Sequence, residues 1–208
     1  MSAFSEVSSF IFSSEQEPME AVVEALLMAI EARDATIRRH SERVARYSEH
    51  IALGLGLDAP ALHQLALGSL LHDIGNIGIP DSILLKPTGL TSWQFDEMRL
   101  HPIIGEAICR PLACLAPALP LIRSHHEKLD GSGYPDRLKG DDIPLVVRIL
   151  SVTDVYDTLR CERAYRDAFS HEQALEILEG EVKRDWWDAE IVSRLAHVTA
   201  PESDFVPV

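Results

Sequence analysis

The side chains in this sequence that could do chemistry together are His40, His72, Asp73, His101, His125, His126 and Asp154. The densest stretch runs Leu71-His72-Asp73-Ile74-Gly75-Asn76-Ile77-Gly78-Ile79-Pro80-Asp81, with a histidine and an aspartate side by side at the end of an apolar helical pattern. One His-Asp pair alone reads as a helix-end histidine with an acidic neighbour. The whole set reads differently. Imidazole and carboxylate are ligands of divalent cations, and a metal site needs several of them arriving from separate elements. Each candidate lies in or beside a predicted helix, most of them against apolar residues. Burying so many polar groups without partners or a cation would be costly.

The elements that must position these groups are helices. Val22, Val23, Leu26, Leu27 and Ile30 recur at helical spacing over about 19–31. A second helix, with Asp34 as its candidate cap, runs to about Leu55 and carries His40 one turn before Val44. Gly54 and Gly56 end it. Asp58 caps the next, with Pro60 in its first turn, and that helix is apolar on most sides to near Gly75, as expected of the centre of a bundle. Residues 76–85 read as an irregular turn where backbone could approach a ligand. Thr91 with Gln94 makes a capping box for a helix reaching His101-Pro102. Further helices are expected over about 103–109, 116–128 and 143–159. The second of these would deliver His125 and His126 at its end, about 100° apart, serving either two metal ions or one metal and one substrate. Asp154 and Asp157 lie inside the last, on a mostly apolar helix where an aspartate wants a partner. Ser170 with Gln173 caps a helix over 171–180, and another spans 187–198. No strand pattern or repeat is visible, so the fold class is all-α, a single-domain helical bundle over 18–200, with a lead-in at 1–17 and a ragged tail at 201–208.

Composition bounds the function. The chain has 208 residues, 46% of them apolar, enough for one domain with a full core. A net charge of −14 argues against a general DNA- or RNA-binding surface, which needs a basic footprint, but leaves room for a small phosphorylated ligand. No run is long enough to span a membrane. Cys109, Cys114 and Cys161 have no metal-type spacing and read as reduced residues of a cytosolic protein. Local positive charge gathers at Lys128, Arg137 and Lys139 around the turn-rich Asp130–Pro135 loop. Arg160, Arg163 and Arg166, with Tyr165 between them, read either as a solvated face or as a phosphate-binding edge.

The segments ARDATIRRHSERVARYS, LLHDIGNIGIPDSIL, LHPIIG, SHHEKLDGSGYPDRLKGDDIPLVVRILSVTDVYDTL and ERAYR resemble the HD-GYP domains, a branch of the HD phosphohydrolase superfamily, over about residues 20–190. The resemblance implies a helical bundle of the HD phosphohydrolase type holding divalent metals, iron or manganese first, with zinc, nickel or magnesium as other candidates. It implies hydrolysis of cyclic di-GMP to pGpG or GMP. By motif, His40, His72, Asp73 and Asp154 would hold one ion, with Asp73 bridging to a second held by His101, His125 and His126. Gly133, Tyr134 and Pro135 form the name-giving loop, a support for the site and a platform for a GGDEF-type or other regulatory protein. Arg148 matches a substrate-side or structural arginine, and a homodimer is compatible with the resemblance.

The sequence departs from the family pattern twice. Asn76 stands where the family carries a lysine thought to contact the scissile phosphate or the attacking oxygen; asparagine donates a hydrogen bond but brings no charge. Thr36 stands where trinuclear members carry a glutamate, which points to two ions here. Asp73 and Asn76 are therefore the catalytic candidates, and Asn76, Lys128, Tyr134, Arg148, Arg163 and Tyr165 the substrate-binding ones. The expected reaction is metal-dependent cleavage of a phosphodiester. The alternatives are a sensor or interaction module that binds a cyclic dinucleotide without efficient turnover, and a phosphohydrolase acting on another nucleotide. No Ser or Cys nucleophile with a base partner is evident.

Overall fold

The structure is a computed structural model and describes residues 17–162 and 166–200. Among them it is all-helical, without a β-strand. The helices are α1 (Glu17–Glu31), α2 (Ile37–Gly54), α3 (Ala59–Leu71), α4 (Asp81–Leu84), α5 (Ser92–Met98), α6 (His101–Cys109), α7 (Leu119–Ser124), α8 (Leu145–Arg160), α9 (His171–Val182) and α10 (Ala189–Val198). Short 3-10 turns cover Ile74–Gly78, Ala113–Ala118 and Gly140–Asp142. No helix of the described residues is long and apolar enough to cross a membrane.

The central position expected for α3 is observed. It is buried without interruption from Leu65 to Leu71 and packs against α1, α2, α7 and α8. A helix apolar on every side can only be stable when neighbours cover every side. One core cluster joins α2, α8, α9 and α10 through Val44, Ile51, Leu150, Leu178 and Leu195. A second joins α1, α3 and the 113–122 segment through Leu27, Ile30, Leu67, Leu71 and Ile122. The ends follow local chemistry. Asp58 accepts the Ala61 N–H at 3.0 Å, and Thr91/Gln94 and Ser170/Gln173 both close reciprocal capping boxes.

Three boundaries differ from the sequence expectation. Asp34 does not occupy the cap position of α2; Thr36 does, and the Asp34 carboxylate accepts from Thr36 N and Oγ1 at 2.8 and 2.7 Å. Pro102 opens α6 rather than ending α5, because a first-turn proline loses no intrahelical bond. The helix expected over 116–128 is only six residues long, Leu119–Ser124. Pro117 holds the chain before it in a 3-10 turn, and His125 and His126 follow in a turn rather than on a helix.

Candidate metal centre

Each candidate ligand sits at an element end or on a helix face turned inward. His40 rides on α2, His72 caps the C-terminus of α3, Asp73 opens the following 3-10 turn, His101 begins α6, and Asp154 lies on α8. The fold brings all of them together with His125 and His126. His40, His72 and Asp73 form one group, and His101, His125 and His126 another, with ligand atoms within 4.8 Å of one another in each. His40 Nε2 lies 3.3 Å from His72 Nε2 and 3.2 Å from Asp154 Oδ1. His101 Nε2 lies 3.1 Å from His125 Nε2 and 3.2 Å from His126 Nε2. Asp73 joins the groups: Oδ2 is 3.5 Å from His72 Nε2 and Oδ1 is 3.4 Å from His101 Nε2. His125 and His126, their rings 4.1 Å apart, therefore both serve the group of His101.

The proton inventory tests whether a cation fits. His72, His101 and His125 each face a backbone carbonyl through Nδ1, those of Ser69, Met98 and Ile122, at 2.8, 2.8 and 2.9 Å. A carbonyl only accepts, so Nδ1 carries the hydrogen, and in the neutral ring Nε2 is left as a lone pair. The bare Nε2 atoms of His101 and His125 then face each other at 3.1 Å. Two acceptors at that separation repel unless a cation lies against both. This arrangement, with the second nitrogen fixed by a carbonyl or carboxylate, is what oriented metal-binding histidines require.

Burial and the neighbouring imidazoles hold His125 and His126 well below their ordinary pKa, so they stay neutral. Burial would push the Asp154 carboxyl up, but the hydrogen bond from a protonated His40 holds it below the usual carboxylate range. Burial works against a charged His40, yet hydrogen bonds to Asp154 and Asp157 raise it to about 10. A cation at His40 Nε2 would take the place of that proton.

The supports behind the ligands were only partly legible. Asp157 Oδ2 accepts from His40 Nδ1 at 2.7 Å, and Arg43 donates to both Asp157 oxygens at 2.7 and 2.8 Å. The signal was the pair of i, i+3 spacings, His40/Arg43 on α2 and Asp154/Asp157 on α8, which put each pair on one helix face. Glu127, buried next to His126, accepts the backbone N–H groups of Asp136 and Leu138 at 2.7 and 3.1 Å and so ties down the Gly133–Pro135 loop. A side chain at Gly133 would place its Cβ 2.5 Å from Lys128 N and Glu127 Cα. At Gly75 it would lie 1.8 Å from the His101 carbonyl oxygen, so Gly75 is what lets α6 press its first turn against the segment carrying Asp73. Arg33 holds the same segment, donating to the carbonyls of Asn76 at 3.2 Å and Ile79 at 2.8 Å, to the Ile77 carbonyl, and to the Asp81 carboxylate.

Of the substrate-side candidates, Asn76 is buried one 3-10 turn after Asp73, and its Oδ1 has no hydrogen-bond partner among the described residues. Tyr134 stacks on His126 with ring centroids 4.8 Å apart, and the bond it makes to Pro135 is cis. Two of the expected residues are directed elsewhere. The Lys128 ammonium stands over the Trp186 ring, where burial lowers its pKa. The Arg148 guanidinium donates to the Ile143 and Gly140 carbonyls at 2.7 and 3.1 Å and pairs with Asp141 and Asp188, which makes it a clamp on the 140–143 turn. Arg163 and Tyr165 lie outside the described residues. Thr36 bonds locally to Asp34.

A helical bundle that gathers imidazoles and carboxylates in this way can be compared with known families. A family model described as HD domain matches residues 24–191. The chain belongs to the HD domain family, in its HD-GYP form. It is 41% identical over 175 residues to a "Probable cyclic di-GMP phosphodiesterase" of Vibrio cholerae, a match covering 76% of this chain and 40% of that protein. It is 39% identical over 165 residues to "3'3'-cGAMP-specific phosphodiesterase 2" of the same organism, covering 78% of this chain and 32% of that protein. The chain thus spans less than half the length of these curated relatives. Among solved structures it resembles Bd1817, an HD-GYP-type protein from Bdellovibrio bacteriovorus, with a TM-score of 0.69 and 23% identity, covering 94% of this chain and 60% of that one.

Proposed function

We propose that this chain is a metal-dependent phosphodiesterase that opens cyclic di-GMP to linear pGpG. The observation that carries the reading is the direct facing of His101 Nε2 and His125 Nε2 at 3.1 Å, together with a carboxylate, Asp73, that joins this group to His72. The donor set of nitrogens and carboxylate oxygens suits iron or manganese and also other first-row ions. His40, His72, Asp73 and Asp154 would hold one ion and His101, His125, His126 and Asp73 the other. Positive charge at the phosphate oxygens, and acidification of an attacking water, are the chemistry that divalent ions supply in such a site.

The chain's own residues do the rest. Asp157 and Arg43 keep the His40 ring turned so that Nε2 faces the centre. Asn76, buried beside Asp73, offers an amide N–H to a phosphate oxygen in place of a lysine ammonium. Tyr134, stacked on His126, walls that side of the site. The names of the relatives support a cyclic dinucleotide as the substrate class, and both cyclic di-GMP and 3'3'-cGAMP occur among them. Regulation by a partner protein reading the Gly133–Pro135 loop belongs to the same proposal.

A second reading is favoured by one observation. Asn76 brings no charge and leaves its Oδ1 unpartnered, which suits a module that binds the dinucleotide with slow turnover. Incubation of the iron- or manganese-loaded protein with cyclic di-GMP under reducing conditions decides between them. Linear pGpG is expected. Tight binding without product would establish the sensor, and neither binding nor product would overturn both readings.

A further inference from the structure

A cyclic dinucleotide carries a pair of phosphodiesters. When one lies on the imidazole–carboxylate centre, the other must be met elsewhere or left in solvent. The chain is strongly acidic, with a net charge of −14, so unneutralised positive charge near the centre is informative. Arg38, Arg43, Arg123 and Arg148 are all tied to carboxylates. Arg99 and Arg137 are different. They wall an open cleft of about 400 Å³ together with Gly131, Ser132, Gly133, Tyr134 and Pro135. Tyr134 belongs both to this cleft and to the centre, through its stack on His126.

Arg99 is exposed, and among the described residues no carboxylate comes nearer than Asp96 at 4.0 Å. Its guanidinium lies between two rings, 4.7 Å from the Phe95 centroid and 5.0 Å from that of Tyr134. A guanidinium held by ring faces keeps its N–H fork available for an anion. Arg137 has no side-chain hydrogen bond or ion pair among the described residues, and its backbone sits at φ 57°, the left-handed region that favours glycine. Strain of this kind persists where surrounding structure enforces it, and it gathers at ligand-binding sites. Of the neighbouring carboxylates, Asp136 is paired with two nitrogens of Arg123 at 2.6 and 2.7 Å, and Asp130 accepts the backbone N–H of Ser132 at 2.8 Å.

We infer that Arg99 and Arg137 form a second anion subsite, which takes the non-reacting phosphate of a cyclic dinucleotide and so sets the preference for that ligand over simple phosphodiesters. The inference rests on the proposed dinucleotide chemistry. Its residues lie outside the candidate ligand set, so they discriminate among substrates and leave the reacting phosphate to the centre.

The test compares the parent with Arg99→Gln, Arg137→Gly and Arg137→Lys, all manganese-loaded. Affinity for cyclic di-GMP is measured by calorimetry, and turnover is followed on cyclic di-GMP and on bis(para-nitrophenyl) phosphate, which has a single phosphodiester. Arg99→Gln and Arg137→Gly are each expected to weaken cyclic di-GMP binding roughly tenfold or more, the loss appearing in KM. The loss on the small diester is expected to be smaller by about that factor, and Arg137→Lys should recover much of the binding. Because glycine relieves the backbone at position 137, the Arg137→Gly protein should be at least as resistant to heat as the parent, which separates lost binding from lost folding. Equal affinity in parent and variants overturns the subsite while leaving turnover by the parent, and with it the proposed function, intact. Equal losses on both substrates also overturn it, since the arginines would then act through the centre. A parent that binds cyclic di-GMP without cleaving it refutes the phosphodiesterase and leaves the binding comparison to decide the subsite. A parent that binds none refutes both.

Discussion

Replacing Asp157 by alanine should damage stability and metal binding together, because one carboxylate serves both. Its side chain is 2% exposed and accepts from His40 Nδ1 and from two nitrogens of Arg43. Burial alone would raise the Asp157 pKa, but the hydrogen bonds from His40 and Arg43 bring it from 3.8 to about 2. Holding it there contributes about 2 kcal/mol at neutral pH. Alanine removes that contribution and leaves the Arg43 guanidinium, whose side chain is 26% exposed, without its carboxylate, which adds about 1 kcal/mol. The expected cost is thus about 3 kcal/mol, measured by urea unfolding in the presence of a chelator. His40 also loses the acceptor that fixes Nδ1–H, so its ring no longer presents Nε2 by default. Manganese affinity, measured by calorimetry, should fall roughly 10–100-fold. Asp157→Asn should lie between the parent and Asp157→Ala, since the amide oxygen can still accept from one donor. A variant that unfolds within about 1 kcal/mol of the parent and binds manganese equally well would refute the assignment of Asp157 as the support of His40.

Other expectations follow from the same geometry. The Asp157 contribution has a defined pH window: the folded pKa lies below the unfolded value of 3.8, so the stability is present above that value and drains away as pH falls towards about 2. Acid titration of unfolding should show that loss in the parent and a flatter limb in Asp157→Ala. Gly75→Ala places a Cβ 1.8 Å from the His101 carbonyl and should cost about 3 kcal/mol or more, or prevent accumulation of folded protein, as read by circular dichroism and melting temperature. Asn76→Lys should raise kcat on cyclic di-GMP more than it changes KM; an unchanged kcat would mean that the missing ammonium does not limit turnover. Adding manganese to chelator-treated protein should raise the melting temperature, because the ion binds the folded arrangement of bare nitrogens and has no such site in the unfolded chain.

The helical architecture was written plainly in the chain, since apolar spacing at 3.6 residues and the capping pairs Thr91/Gln94 and Ser170/Gln173 act locally. The candidate ligands too could be named from residue type and motif, and the fold brings His40, His72, Asp73, His101, His125, His126 and Asp154 together. What the linear pattern could not supply was orientation. Periodicity says which face of a helix a residue occupies, not where a long flexible side chain ends, so Lys128 read as a substrate contact although it ends on Trp186, and Arg148, left open between a substrate-side and a structural role, needed the structure to show it on backbone carbonyls. Arg33, Arg99 and Glu127 had the opposite fate. Charged residues in a connection or near a helix end look like solvated surface until distant segments close around them.

The sequence by itself determined which groups could bind an ion and which segments would be helices, because residue chemistry and hydrogen-bonded periodicity are local properties. The family resemblance already grouped His101, His125 and His126 with Asp73; only the tertiary structure decided how they meet, with Nδ1 of His72, His101 and His125 on backbone carbonyls and Nε2 turned to the centre. Those relations depend on the close approach of α6 to the turn at Gly75, a contact between residues far apart in the chain that no local pattern encodes.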